Sequence, residues 1–210
     1  MTDRPASTSA QETFWRGGFG DAYARRNDDA ATVAANAALF GRILAHTRGV
    51  TSVLELGAGV GMNLRALRTL LPDARLDAVE INAVSAQALR DWGQATVHEG
   101  SLLDVDLAGT WDLTLCKGVL IHQSPDRLDV AYDLLHGCSS RYVCIAEYFN
   151  PAPVEVTYRG HRERMFKRDF AGEMLARHDD LRLVDYGFVY HGDPTFPLDD
   201  ITWFLMERRP

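Results

Sequence analysis

A glycine-rich turn constrains this chain more than any other feature of its sequence. Residues 53–56 form an apolar run with one acid, Glu55, and glycines follow at positions 57, 59 and 61. Glycines at a strand–helix turn let the backbone approach a ligand closely, because no Cβ atom stands in the way. A second apolar run ends at Glu80, where a carboxylate beyond the next strand can accept hydrogen bonds from ribose hydroxyls. The two runs together predict a site for an adenosine-containing cofactor.

The spacing of the glycines separates this turn from the dinucleotide fingerprint. That fingerprint is G-x-G-x-x-G, and Met62 occupies the position of its third glycine. Glu55 would repel a pyrophosphate, whereas a carboxylate at this place can meet an ammonium group. The pattern E-x-G-x-G-x-G instead resembles the first motif of class I S-adenosylmethionine-dependent methyltransferases, whose cofactor carries adenosine, a sulfonium and an amino acid but no phosphate. A strand–turn–helix packing corner without any ligand is the alternative interpretation.

The composition is typical of one enzyme-sized domain. The chain has 210 residues, of which 46% are apolar, and a formal net charge of −7. This charge argues against a broad nucleic-acid-binding surface. The cysteines Cys116, Cys138 and Cys144 lack metal-type spacing, and an odd cysteine count without a secretory signal is typical of a reducing cytosol. No apolar stretch in the sequence reaches the length of a membrane span. We expect a cytoplasmic protein without a metal, nucleic-acid or membrane partner.

Strand and helix patterns alternate along most of the chain. Strands are predicted at residues 52–56, 75–80, 95–98, 111–116 and 142–146, and helices at residues 30–47, 62–71, 83–92, 124–135 and 170–177. Regular alternation implies a parallel sheet covered by helices on both faces. Residues 182–190 and 201–207 predict two further strands that form a hairpin at one edge of the sheet. The predicted fold class is α/β, a three-layer, Rossmann-like domain with a seven-stranded, mostly parallel sheet.

Two segments of unusual composition flank this alternating pattern. Residues 1–10 predict a flexible tail, and residues 11–210 predict a single domain. Residues 11–47, here called the cap, begin with aromatic residues broken by glycines, which favours short ordered segments over one long helix. Residues 147–169, here called the lid, form a long polar connection. Connections of this length inside a compact domain are usually functional or disordered.

Candidate functional residues follow the predicted strands, because ligands of open α/β sheets bind beyond the carboxyl ends of the strands. Ser101 and Leu102 are candidates to flank an adenine ring, with an ordinary polar turn as the alternative. His122 is a candidate general base, because a reference pKa of about 6.5 keeps it mostly neutral at cytosolic pH. A hydrogen-bonded core histidine is the alternative. Tyr148 and His161 are further candidate bases or positioning groups.

The lid carries an excess of positive charge within an acidic protein. Between Glu155 and Asp169 there are five Lys or Arg residues against three acids. Arginine is a good bidentate partner of carboxylate and phosphate, so the excess favours an anionic methyl acceptor, and the acids leave room for an amino group. An ordinary solvated charged loop is the alternative. The candidate acceptor-binding residues are Asn150, Tyr158, Arg159, Lys167 and Arg168.

Several motifs along the chain together resemble one family. They are Phe14-Trp15, Gly18-Phe19-Gly20-Asp21, Lys117-Gly118-Val119-Leu120-Ile121-His122, Tyr158-Arg159-Gly160-His161 and Phe166-Lys167-Arg168-Asp169-Phe170. From about residue 11 onwards, the chain resembles the small methyltransferases described as pseudaminic acid biosynthesis-associated methylases. The resemblance to class I methyltransferases implies the strand order 3-2-1-4-5-7-6, and the cap is expected to contact the methionine moiety. The predicted cofactor-binding residues are Tyr23, Arg26, Glu55, Gly57, Ala58, Gly59, Glu80, Ile81, Ser101, Leu102, Lys117 and Gly118.

The resulting hypothesis is methyl transfer from S-adenosylmethionine, with S-adenosylhomocysteine as the product. The acceptor would be an oxygen or nitrogen of a small polar metabolite, anionic or zwitterionic, such as a sugar acid, an amino acid or a natural-product intermediate. The alternatives are a protein or peptide methyltransferase, a nucleotide-cofactor oxidoreductase and a cofactor-binding protein without catalytic activity. The protein is expected to be a monomer or a homodimer.

Overall fold

Helices and strands alternate in the structure much as the sequence pattern predicts. The computed structural model describes residues 8–26 and 29–209, so residues 1–7 of the predicted tail and residues 27–28 of the cap lie outside the described residues. In chain order the elements are α1 (Ala10–Arg16), α2 (Gly18–Ala24), α3 (Ala30–Leu44), β1 (Ser52–Leu56), α4 (Met62–Leu70), β2 (Arg75–Glu80), α5 (Ala83–Trp92), β3 (Thr96–Glu99), β4 (Trp111–Lys117), α6 (Leu128–Gly137), β5 (Ser139–Glu147), β6 (Val154–Glu155), β7 (Phe166–Lys167), α7 (Phe170–Arg177), β8 (Leu181–Val189) and β9 (Ile201–Arg208).

One seven-stranded sheet forms the centre of the fold, in the order β3-β2-β1-β4-β5-β9-β8. The first five strands in this order are parallel, and β9 runs antiparallel between β5 and β8. The predicted order 3-2-1-4-5-7-6 is confirmed, because β8 and β9 are the sixth and seventh strands of this sheet along the chain. The chain runs outward from β1 through β2 to β3 and then crosses back to β4 on the other side of β1, so the strand order reverses direction at β1. This switch point is where open α/β sheets bind ligands.

Two apolar clusters cover the two faces of the sheet and produce the three layers. Val53 of β1 packs with Phe40 of α3 and Leu64 of α4 on one face. Leu54 of β1 packs with Leu135 of α6 on the other face. Successive strand residues point to opposite faces, so an apolar run without alternation buries side chains on both. Each fully buried leucine contributes about 2 kcal/mol through removal of its apolar surface from water.

The structure differs from the sequence prediction in short elements. The segment predicted as one helix at residues 124–135 begins with a 3₁₀ turn at Pro125–Arg127, and the α-helix follows at Leu128–Gly137. A second 3₁₀ turn, Leu120–His122, and the small β6–β7 sheet within the lid lack a periodic signal in the sequence. Strands this short carry too few residues to alternate visibly.

The cap begins with two short helices, α1 and α2, rather than with one long helix. Ser9 caps α1: its hydroxyl accepts from the Glu12 amide, and the Glu12 carboxylate accepts from the Ser9 amide. This reciprocal pair is a capping box, so ordered structure reaches into the predicted tail of residues 1–10. No helix among residues 8–26 and 29–209 is long and apolar enough to cross a membrane.

Candidate active site

A cavity opens at the switch point of the sheet, beyond the carboxyl ends of β1, β2, β3 and β4. Most of the predicted cofactor residues line it: Tyr23, Gly57, Ala58, Gly59, Glu80, Ile81, Ser101, Leu102, Lys117 and Gly118. Two do not. Arg26 is exposed just after α2, and Glu55 is buried beneath the glycine turn. The cap supplies a further wall, with side chains from α1, α2 and α3.

The glycine turn after β1 needs glycine for two separate reasons. Gly57 and Gly59 have φ values of +76° and +55°, which residues with side chains rarely adopt. A Cβ atom on Gly57 would lie 2.6 Å from the Val119 side chain, so the turns after β1 and β4 approach closely only because this side chain is missing. The amides of Gly57 and Ala58 both donate to the Val79 carbonyl, at 2.8 and 3.1 Å. These bonds fix the turn against β2.

Glu80 is held in place by backbone donors on both of its oxygens. One oxygen accepts from the Gly59 amide at 2.7 Å, and the other accepts from the Asn82 amide at 2.7 Å. Burial raises the pKa of Glu80 above its usual value, although these two backbone bonds oppose the shift. A carboxylate has about four lone-pair sites, so each oxygen keeps capacity for a further donor. A pair of ribose hydroxyls would supply such donors.

Asn82 joins the cap to the sheet. Its side-chain oxygen accepts from the Ser85 amide and so caps α5, and its side-chain nitrogen donates to Asp21 of α2 at 2.8 Å and to the Trp15 carbonyl at 3.1 Å. Gly20 completes the junction, because a Cβ atom there would lie 1.9 Å from the Trp15 carbonyl oxygen. The Asn82 side chain therefore links α1 and α2 of the cap to the start of α5.

Two buried amide oxygens at the cavity have no partner among the described residues. They are Oδ1 of Asn36 and Oδ1 of Asn63, and both residues line the cavity. The Asn63 nitrogen donates to Glu55, whose second oxygen is also without a partner in the described structure. Buried polar atoms are almost always hydrogen-bonded, so these oxygens indicate donors from a ligand. An amino-acid ammonium group and ribose hydroxyls are donors of the required kind, and the site therefore fits S-adenosylmethionine.

Burial perturbs the ionisable groups beneath the cavity. Burial raises the pKa of Glu55 to about 8, although Asn63 and the nearby Lys117 oppose the shift. It raises the pKa of Glu147 to about 7, although the amides of Val119 and Leu120 donate to this carboxylate at 2.8 Å each. Burial also lowers the pKa of Lys117, against the opposing charges of the acids around it. Glu147 thus fixes the turn after β4, a role that the sequence did not reveal.

His122 is buried between the cap and the lid. Its Nδ1 lies 2.5 Å from the Arg164 carbonyl oxygen, and its ring centre lies 4.8 Å from that of Trp15 and 4.9 Å from that of Tyr158. A carbonyl only accepts, so Nδ1 must carry the proton and Nε2 is left as an acceptor. Burial lowers the pKa of His122 to about 4, although the Arg164 carbonyl opposes the shift. The ring is therefore neutral at neutral pH, and it lines the cavity.

The other predicted catalytic and acceptor-binding residues lie in the lid, outside the cavity wall. Tyr148 packs beneath Lys167, whose Nζ is 4.8 Å from the ring centre, and the exposed His161 ring lies 5.1 Å from Phe14. Arg168 is bound to Glu173 of α7 at 2.6 Å. The Asn150 side chain donates to the Ala152 carbonyl, and Arg159 lies over the Tyr158 ring at 5.8 Å. The structure therefore brings His122 and Tyr158 together, but leaves Arg168 already paired.

Several polar residues that line the cavity were not predicted from the sequence, among them Glu12, Asn36, Asn63 and Asn82. Glu12 is only 7% exposed, and burial alone would raise its pKa, but hydrogen bonds from Ser101 and Ser9 bring the pKa below its usual value. Ser9 and Glu12 stand three residues apart, the spacing of a capping box, which was a detectable signal for α1. Asn82 stands directly before α5 and caps it, which was also a detectable signal, whereas nothing local marks Asn36 and Asn63. In the part of the chain that the structure describes, no group of three His, Cys, Asp or Glu side chains could hold a metal ion.

The fold is that of class I S-adenosylmethionine-dependent methyltransferases. No family model and no curated protein matches the sequence. Among solved structures, the chain is similar to Burkholderia thailandensis 1,6-didemethyltoxoflavin-N1-methyltransferase, crystallised with 1,6-didemethyltoxoflavin and S-adenosylhomocysteine. The TM-score is 0.71 and the identity 21%, over 100% of this chain and 94% of that one.

Two further solved structures share this fold. One is magnesium protoporphyrin IX methyltransferase from Synechocystis with bound S-adenosylhomocysteine, with a TM-score of 0.70 and 15% identity over 94% of this chain and 99% of that one. The other is an amino pentose methyltransferase of calicheamicin biosynthesis from Micromonospora echinaspora with bound S-adenosylmethionine, with a TM-score of 0.63 and 14% identity over 91% of this chain and 97% of that one. At these identities the likeness shows the fold alone, so we infer the function from the residues of this chain's own site.

Proposed function

We propose that this protein transfers a methyl group from S-adenosylmethionine to an oxygen or nitrogen of a small polar metabolite. The observation that carries the proposal is Glu80, buried at the carboxyl end of β2 and held by the amides of Gly59 and Asn82 at 2.7 Å each. Its carboxylate keeps free acceptor capacity beside a glycine turn whose spacing disfavours a pyrophosphate. The bound ligands of the structural neighbours support the same cofactor.

The residues around the cavity have distinct roles in this proposal. When bound, S-adenosylmethionine supplies an electrophilic methyl group on a sulfonium centre. Glu80 accepts from the ribose hydroxyls, and the unpartnered oxygens of Asn36 and Asn63 accept from the ammonium group. Glu55 acts through Asn63, because it bonds to that side chain and does not itself line the cavity. Gly57, Gly59 and Gly118 keep the backbone open to the ligand.

His122 supplies an acceptor rather than a charge. Its proton is on Nδ1, which donates to the Arg164 carbonyl. Nε2 can therefore accept a hydrogen bond from a hydroxyl or N–H group of the methyl acceptor. A pKa of about 4 makes it a weak base, so we assign it to orienting the acceptor and receiving a proton late in the transfer. Exclusion of water by the cap and lid, together with alignment of the acceptor, then provides most of the acceleration.

The lid supports an anionic or zwitterionic acceptor. Arg159 and Lys167 form no salt bridge with any described residue, whereas Arg168 is satisfied by Glu173. The first two are therefore free to bind a carboxylate or phosphate of the acceptor. The sequence resemblance to pseudaminic acid biosynthesis-associated methylases favours a sugar-acid acceptor, and the toxoflavin and amino pentose enzymes favour a small natural-product intermediate. A protein or peptide acceptor is the second candidate, and it would require the lid to open.

The experiment is a titration of the purified protein with S-adenosylhomocysteine and, separately, with NADH. We expect S-adenosylhomocysteine to bind more tightly, and Glu80→Ala to weaken it about 100-fold, because two hydrogen bonds to a charged acceptor are lost. Glu80→Gln keeps one acceptor for the backbone amides and should show a smaller loss. The control is Glu99→Ala, because Glu99 is the exposed register partner of Glu80 on β3. Equal affinity in the wild type and Glu80→Ala, or tighter NADH binding, would refute the proposal.

A further inference from the structure

Glu12 is a buried carboxylate on the cavity wall that the assigned cofactor contacts do not use. It belongs to α1 of the cap and is 7% exposed. One of its oxygens accepts from the Ser9 amide at 2.7 Å, within the capping box. An ionised carboxylate offers about four lone-pair sites, so this bond leaves acceptor capacity over. A buried anion with unused lone pairs on a cavity wall indicates a donor on the ligand.

Ser101, after β3, lies beside Glu12 on the same wall. The Leu103 amide donates to the Ser101 hydroxyl oxygen at 3.1 Å, so the serine proton points away from that bond and is available to the Glu12 carboxylate. Gln11, the neighbour of Glu12, donates to the Glu163 carbonyl of the lid at 3.2 Å. These bonds hold the first turn of α1 between the loop after β3 and the lid. Glu12 is therefore a fixed acceptor.

The direction in which an adenosine would lie follows from the positions of the other groups. Glu80, at the end of β2, is the ribose acceptor, and a base and a 5′ chain leave a ribose on opposite sides. His122, after β4, lies towards the lid, because its ring is bonded to the Arg164 carbonyl, and the methyl acceptor must enter on that side, so the methyl group must point there too. The base then lies on the other side, towards Ser101 and Leu102. Glu12 lies at that same end, because its carboxylate accepts a hydrogen bond from the Ser101 side chain.

We propose that Glu12 binds the 6-amino group of the cofactor's adenine, so that the cap supplies the polar half of the adenine site. The inference rests on the proposed function. The amino group is a donor, and the Glu12 carboxylate accepts from it, while Leu102 and Ile81 offer apolar contact to the ring. A 6-oxo base presents an acceptor at the same place, and a carboxylate opposite a carbonyl oxygen repels it. Glu12 thereby selects adenosine over inosine.

The test compares S-adenosylhomocysteine with S-inosylhomocysteine by isothermal titration calorimetry. The wild type should prefer the adenosyl compound by between about 10- and 100-fold, the range expected for one hydrogen bond to a charged group. In Glu12→Gln the amide can donate to a 6-oxo group, so the preference should fall below about threefold. Glu99→Gln, the same exchange on an exposed carboxyl of β3, should keep the wild-type preference.

Glu12 also stabilises α1 through the capping box, so a second variant separates folding from recognition. Ser9→Ala removes the hydroxyl that caps α1 and leaves the carboxylate in place; it should weaken both ligands alike and keep the preference between them. An unchanged preference in Glu12→Gln, or a wild type that binds both ligands equally, would overturn the assignment of Glu12. Failure of the wild type to bind S-adenosylhomocysteine at all would instead overturn the proposed function.

Discussion

The buried carboxyl of Glu55 should make the stability of this protein depend on pH in a way that one substitution removes. Burial raises its pKa from 4.5 to about 8. Between these values the folded protein keeps a proton that the unfolded chain has lost, so stability falls as the pH rises. At 1.36 kcal/mol per pH unit, the full window amounts to about 5 kcal/mol. Glu55→Gln cannot titrate, and its amide retains the size of the carboxyl group and an acceptor for Asn63.

Urea denaturation of both proteins at several pH values between 4.5 and 8.5 measures this effect. The free energy of unfolding of Glu55→Gln minus that of the wild type should rise by about 1.4 kcal/mol per pH unit and level off above pH 8. Near pH 4.5 the folded carboxyl is protonated and the unfolded one is only about half ionised, so titration contributes little there, and the difference reports mainly the change in packing and serves as the internal control. A difference in free energy of unfolding that does not change with pH would refute the claim that Glu55 is buried and neutral.

Three further predictions concern the histidine, the cap and the lid. Burial lowers the pKa of His122 from 6.5 to about 4, so the free energy of unfolding of the wild type should fall by about 3 kcal/mol as the pH falls from 6.5 to 4. In the same urea denaturation series, His122→Gln should lose less stability over this range. Gly20→Ala places a Cβ atom 1.9 Å from the Trp15 carbonyl oxygen and should lower the free energy of unfolding by about 1–3 kcal/mol, measured by thermal melts. The control is Gly18→Ala, whose Cβ atom meets no atom within 4 Å, and it should be neutral or slightly stabilising. Arg159→Ala should raise the KM for the methyl acceptor roughly tenfold with little change in the cofactor Kd. The control Arg162→Ala should change neither constant. Equal effects of Arg159→Ala on both constants would exclude an anionic-acceptor site.

The sequence predicted the elements of the fold that carry strong local signals. The strand at residues 75–80 and the helices at residues 83–92 and 170–177 have the bounds that were expected, because apolar runs and end signals mark both ends. The 3₁₀ turn that carries His122 and the two-residue strands of the lid were not expected. Their conformation depends on tertiary contacts, such as the bond between the Arg164 carbonyl and His122, rather than on periodicity.

The candidate site was predictable to the extent that it depends on residues next to strand ends. Glu80 is the last residue of β2, and the glycine turn follows β1 directly, so the positions of the strands determined where both lie. Glu12 and the lid could not be placed in the same way, because bonds such as that between Gln11 and Glu163 join residues 152 positions apart. The charge count of the lid likewise could not reveal that Arg168 is already paired with Glu173.

The central claim is tested most directly by tracing the methyl group. The purified protein would be incubated with host extract and S-adenosylmethionine labelled on the methyl group, and the products separated by size, with Glu80→Ala as the matched control. We expect label in the small-molecule fraction with the wild type, and little label with the variant. Label on macromolecules would contradict the small-molecule acceptor, and no label in any fraction despite binding of S-adenosylhomocysteine would contradict methyl transfer itself.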